Sequence, residues 1–146
     1  MTEGWLFDYG GTLDTGGQHW GKVLWHAYER HKMSVTEQQF REAYVHAERT
    51  LGKNPVIQPD YTFRRTLEIK VRMQLEFLEM LNDVNLRSLV DDVYAMAAKQ
   101  TSRSREILLQ LKSRSPLVLV SNFYGNLSTV LREFGLDEIF DAVVIS

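Results

Sequence analysis

Asp8 stands between an apolar run and a pair of glycines, in Leu6-Phe7-Asp8-Tyr9-Gly10-Gly11-Thr12-Leu13-Asp14. The residues from Trp5 up to Asp8 are apolar and follow no helical period, and the Gly-Gly-Thr that comes after is a turn signal. This pattern predicts a buried strand that delivers Asp8 at its carboxyl end. Ligands of open α/β sheets bind at that edge, where glycines let backbone amides approach a phosphate or another anion. A second apolar run, Leu117-Val118-Leu119-Val120, ends in Ser121-Asn122. If the two strands are parallel, Asp8 and Ser121 emerge on the same edge of one sheet. A strand-end aspartate taken alone also serves as a helix cap or turn former.

Between the two runs the apolar residues recur every three or four positions, the spacing of helix faces. Trp20, Val23, Leu24, Ala27 and Tyr28 mark one helix after the Gly16-Gly17 break. Phe40, Ala43, Tyr44, Ala47 and Leu51 mark a second, with Ser34 and Glu37 spaced as a capping box. Pro55 and Pro59 predict a loop; then Phe63, Leu67, Val71, Leu75 and Leu78 step along a third helix, with Asp60 placed to cap it. Leu86, Leu89, Val90, Val93, Tyr94 and Ala97 predict a fourth. The pattern changes after Thr101-Ser102, where a helix through Ile107, Leu108 and Leu111 leads to the run at 117–120, expected to be buried on both faces. A helix from about Asn126 to Phe134, closed by Gly135, then leads to another apolar strand, Ala142-Val143-Val144-Ile145. Strand, helix, strand is the unit of a parallel sheet. The predicted class is therefore α/β, a Rossmann-like parallel sheet of about three strands over residues 1–15 and 101–146, with an inserted all-helical part over 16–100.

Composition narrows the function classes. With 146 residues, 44% of them hydrophobic, and a net charge of −2, the chain can bury a real core. Its Lys and Arg residues are scattered, which argues against nucleic acid as a partner. Apolar runs fall short of the roughly 18 residues of a membrane helix, so no membrane partner is expected. Zero cysteines exclude a disulfide framework and thiolate metal sites and suit a cytoplasmic protein. The four histidines lack a metal-ligand spacing.

The order apolar strand, Asp8, Gly10, Thr12-Leu13, followed by a helical insert and an apolar strand ending in Ser121, resembles the first and second motifs of the haloacid dehalogenase (HAD) superfamily. The resemblance covers the whole chain. It implies a hydrolase of the phosphatase kind in which Asp8 is the nucleophile and a ligand of Mg²⁺, with the Gly10 backbone carbonyl a second ligand. Thr12 then corresponds to the motif threonine that fixes the turn, Ser121 and Asn122 bind the phosphate of a small phosphorylated or other anionic substrate, and the helical insert is a cap.

This chain also departs from the motif. Phosphatases of the family carry a second Asp where Gly10 stands, to protonate the leaving alcohol and activate water, and glycine transfers no proton. Gly10 leaves open a slow phosphatase using another acid, dehalogenase- or phosphonatase-like chemistry, or a non-catalytic ligand-binding or assembly module. Asp14, six residues after Asp8, is a candidate acid but also a hinge residue, and His19 follows the hinge closely enough to face the site. The family's later Lys and Asp motifs find no counterpart before Ser146, so the chain is expected to be a fragment, or one completed by another copy through an exposed sheet edge at the first strand.

Overall fold

The computed structural model describes residues 4–121 and 123–145. Strands β1 (Trp5–Phe7), β2 (Leu117–Val120) and β3 (Ala142–Val144) form one parallel sheet in the order β1-β2-β3. The register pairs Leu6 with Val118 and Val118 with Ala142. Helices α1 (Trp20–Arg30), α2 (Glu37–Lys53), α3 (Phe63–Phe77) and α4 (Asp83–Lys112) lie between β1 and β2, and α5 (Leu127–Glu133) connects β2 to β3. The class is α/β with a Rossmann-like parallel sheet and a helical region, as the periodicities predict. No helix among the described residues is long and apolar enough to cross a membrane.

The helix ends differ from the sequence reading in instructive ways. The capping box of α2 is Thr36 with Gln39, one overlapping repeat downstream of Ser34 and Glu37: the Thr36 hydroxyl accepts the Gln39 N–H at 3.1 Å, and the Gln39 side chain accepts the Thr36 N–H at 2.8 Å. That choice puts Val35 and Phe40 at the two positions of a hydrophobic staple, and both belong to the core. Thr62 rather than Asp60 caps α3, its hydroxyl accepting the Arg65 N–H at 3.1 Å. Helix α4 runs unbroken through Thr101-Ser102, where the sequence predicts a change of element. Thr101 is buried within the helix, and just beyond the expected break the buried Ser104 donates its hydroxyl to the Leu13 carbonyl at 2.8 Å, anchoring the helix to the turn after β1.

One hydrophobic core runs from the helices, through Leu24, Tyr28, Phe63 and Leu89, to Leu117 and Leu119 of the sheet. Polar contacts join the same parts. The Asn126 side-chain amide donates to the Tyr61 carbonyl and the Thr66 hydroxyl, each at 2.8 Å, and Glu133 accepts from the Phe63 N–H and the Tyr94 hydroxyl. The sheet itself is buried on one face only. Leu117 and Leu119 are fully buried while Val118 and Val120 are half-buried, and Leu6, in register with Val118, is 71% exposed. The expectation of strands buried throughout is thus corrected for β1 and β3, whose residues are exposed or half-exposed, and for the second face of β2. β1 lies at a sheet edge, as expected.

Candidate active site

Where β1 ends, Asp8 keeps extended backbone geometry and its Oδ1 accepts the Tyr9 N–H at 2.8 Å. The chain then turns through Tyr9–Leu13. Gly11 sits there at φ 80°, a left-handed conformation that glycine adopts without strain. Asp14 closes the turn. One of its carboxylate oxygens accepts the Gly11 N–H at 2.8 Å and the other accepts the Trp20 indole N–H at 2.9 Å, tying the turn to the start of α1. Asp14 is fully buried, and burial pushes its carboxyl up to about 6, against the pull of the Trp20 and Gly11 hydrogen bonds. At the end of β2, Ser121 is buried, with its N–H on the Val144 carbonyl at 3.0 Å.

These strand ends open into a cleft of about 520 Å³ lined by Asp8, Gly10, Gly11 and Ser121, with His19 among its other walls. Two elements distant in sequence are therefore brought together at one edge, as parallel pairing requires. Thr12 and Asp14 are not among the lining residues. Thr12 is exposed and its carbonyl accepts the Gly17 N–H at 3.1 Å; the side chain that ties the turn is that of Asp14. Asn122 lies outside the described residues.

The remaining wall comes from residues that sequence reasoning did not assign to a site: Trp20, Tyr44, Glu48, Phe123 and Tyr124. Behind them is Lys70 of α3, almost fully buried, with Nζ 2.9 Å from a Glu48 carboxylate oxygen and facing the rings of Tyr124, Trp20 and Tyr44 at 5.1, 5.5 and 6.0 Å. The Tyr124 hydroxyl donates to the same carboxylate at 2.9 Å. Burial opposes the Lys70 charge, yet Tyr124, Glu48 and Tyr44 reverse that effect and hold the ammonium above the usual lysine range. Burial raises the Tyr124 phenol to about 12. A signal for this network was present in the sequence: Lys70 falls three residues after Leu67, on the apolar stripe of α3.

A β-carbon built on Gly10 would lie 3.5 Å from Phe123 Cδ1, an ordinary contact, and Gly10 has φ −64°. The backbone thus accommodates a side chain at Gly10, against an aromatic ring. For a metal, the donors at this position are the Asp8 carboxylate and the Gly10 carbonyl; among the described residues no group of three or more His, Asp or Glu converges to hold an ion. Mg²⁺ keeps several waters and binds through one or two carboxylates plus phosphate oxygens, so this donor set fits Mg²⁺ in company with a phosphate group.

No family model matches the chain, and no curated protein matches it. Among solved structures it is similar to a magnesium-bound crystal form of YfnB from Bacillus subtilis, a protein assigned to the HAD-hydrolases. The identity is 15% and the TM-score 0.42, covering 99% of this chain and 65% of that one. The chain therefore spans about two thirds of that protein's length. At this score the likeness carries no weight for family, and what stands on its own is the geometry: an acid, a glycine turn and a buried serine at the carboxyl ends of adjacent parallel strands.

Proposed function

We propose that this chain is a HAD-like hydrolase of the phosphatase kind, acting on a small phosphorylated substrate, with residues 16–100 as its cap. The observation that carries this reading is the meeting of Asp8, Gly10, Gly11 and Ser121 in one cleft although β1 and β2 are separated by more than a hundred residues. Asp8 attacks phosphorus, the ester oxygen leaves, and water then cleaves the aspartyl phosphate. Ser121 and the glycine-turn amides bind the phosphoryl oxygens. Asp8 and the Gly10 carbonyl are the groups that would hold Mg²⁺, which when bound would neutralise phosphoryl charge.

Gly10 cannot supply a proton to the leaving group, and His19 takes that role in our reading. Its Nδ1 accepts the Gly21 N–H at 2.9 Å; the acid role requires the imidazolium, whose two ring nitrogens both donate, so that bond is released when the ring takes up the proton it passes to the leaving oxygen. Asp14 acts by positioning the turn, because both its oxygens are engaged away from the cleft lining. Phosphate release from phenyl phosphate in the presence of Mg²⁺ tests the proposal: Asp8→Asn is expected to fall to the uncatalysed rate, and equal release from both proteins sinks the enzyme reading. The Phe123 ring beside Gly10 favours a second reading, in which the leaving group departs without a proton. Halide release from a 2-haloacid without added Mg²⁺, lost in Asp8→Asn, is the outcome that selects it.

A further inference from the structure

A second cavity, of about 530 Å³, lies between α1 and α2. Its size is that of a small-molecule site. Trp25, Phe40 and Tyr44 form an aromatic wall: the Trp25 and Phe40 rings are 5.6 Å apart at 38°, and those of Phe40 and Tyr44 are 6.0 Å apart at 29°. Lys22 and Arg41, both exposed, also line it. The cavity and the catalytic cleft share two residues, His19 and Tyr44, whose rings meet edge-on with centroids 6.1 Å apart.

Gly21 marks this shared wall as a kept space. It occupies the first turn of α1, where glycine weakens a helix relative to alanine. A β-carbon there would lie 3.0 Å from His19 Nδ1 and 3.6 Å from Tyr44 Cε1. Any larger residue crowds the ring pair between the two cavities.

We propose that the cavity between α1 and α2 receives the organic body of the substrate, and that this body is a planar aromatic ring system reaching over His19 and Tyr44 from the anion in the cleft. The proposal rests on the reading of the Asp8–Ser121 cleft as the anion site. Flat aromatic walls reward a flat aromatic ligand through offset or edge-on contact, and the charged rim, Lys22 and Arg41 with Glu29 and Glu37, of which Arg41 and Glu37 lie 3.8 Å apart, suits polar substituents at its edge.

Two non-hydrolysable probes separate the cavity from the cleft: methylphosphonate and 1-naphthylmethylphosphonate, titrated calorimetrically with Mg²⁺ against the full chain. The naphthyl probe is expected to bind at least about tenfold more tightly, the worth of one or two aromatic contacts. Trp25→Leu removes part of the wall, and Gly21→Leu narrows the passage by pressing on the His19 ring, with circular dichroism to check that both variants keep the parent's helix content. Both variants are expected to lose the naphthyl advantage and to bind methylphosphonate as the parent does. Equal binding of the two probes by the parent, or an advantage that survives both substitutions, overturns the cavity proposal while leaving the anion site in place. Failure of methylphosphonate to bind the parent overturns the anion site, and this proposal with it.

Discussion

The helical region and the sheet bury themselves to very different degrees. Helices α1 to α4 place Leu24, Val71, Leu75 and Leu89 at zero exposure, whereas the three short strands leave Leu6 71% and Val144 48% exposed. The residues that could do chemistry nonetheless sit on the less buried part. A strand end offers a fixed direction, a carboxylate and unpaired backbone amides, and needs few residues to do so; enclosing a ligand needs bulk, which the helices provide through Trp20, Tyr44 and Glu48. In the proposed reading the nucleophile and anion-binding groups come from the sheet, the enclosure and the proton donor His19 from the helical region, and the Lys70–Glu48–Tyr124 network ties the two together across α3, α2 and the loop after β2.

The sharpest way to break this division is Lys70→Met. Removing the cation leaves the half-buried Glu48 carboxylate with the Tyr124 hydroxyl as its hydrogen-bond donor, and the expected loss is about 3 kcal/mol in urea denaturation. A loss below about 1 kcal/mol, the worth of a surface pair, means that the network does not join the two regions.

A slightly smaller effect is expected from pH. The Asp14 carboxyl rises from its ordinary 3.8 to about 6 on folding, so between these values the folded chain holds a proton that the unfolded chain has lost. This group therefore adds stability at acid pH, and the contribution, about 3 kcal/mol for a shift of roughly two units, is lost as pH rises through 6. Compared with Asp14→Asn, the parent should gain about 2.5 kcal/mol between pH 7 and pH 4. A constant difference between the two proteins over this range contradicts the burial of a titrating acid at the turn.

Gly10→Asp probes the sheet side. Since the added β-carbon makes only an ordinary contact with Phe123, the stability change should stay within about 1 kcal/mol. Phosphatase turnover should rise by on the order of 10²-fold, the usual contribution of a positioned general acid. A folded variant with unchanged turnover would remove proton transfer from the role assigned to this position. The smallest change is expected from Leu6→Lys on the open face of the edge strand, within about 0.5 kcal/mol. Sedimentation should show less self-association in this variant, since charge on an edge strand opposes pairing between copies; identical association states would mean that this strand is not where copies meet.

Much of the fold was legible in local patterns. The stripes through Leu67, Val71 and Leu75 and through Leu89, Val90 and Val93 identified helices because a 3.6-residue period is a property of neighbours in sequence. Apolar runs ending in Asp8 and Ser121 placed both residues at strand ends for the same kind of reason, and parallel pairing then followed from the crossover. The start of α2 was ambiguous because two capping-box spacings overlap, and packing of Val35 and Phe40 goes with the downstream one. The continuity of α4 was hidden because Thr101-Ser102 reads locally as a change of element, whereas the helix there is held by tertiary contacts such as that of the Ser104 hydroxyl with the Leu13 carbonyl, far away in the chain.

The sequence by itself determined the α/β class, the helical insert and the placing of Asp8 and Ser121 at strand ends, because periodicity and turn chemistry are set within a few residues. Only the tertiary structure decided that one face of the sheet stays open, that Asp14 is a buried acid, that Lys70 lies among aromatic rings, and that His19 and Tyr44 form a wall common to two cavities. Each of these depends on burial and on contacts such as that of Tyr124 with Glu48, 76 positions apart, which no local pattern encodes.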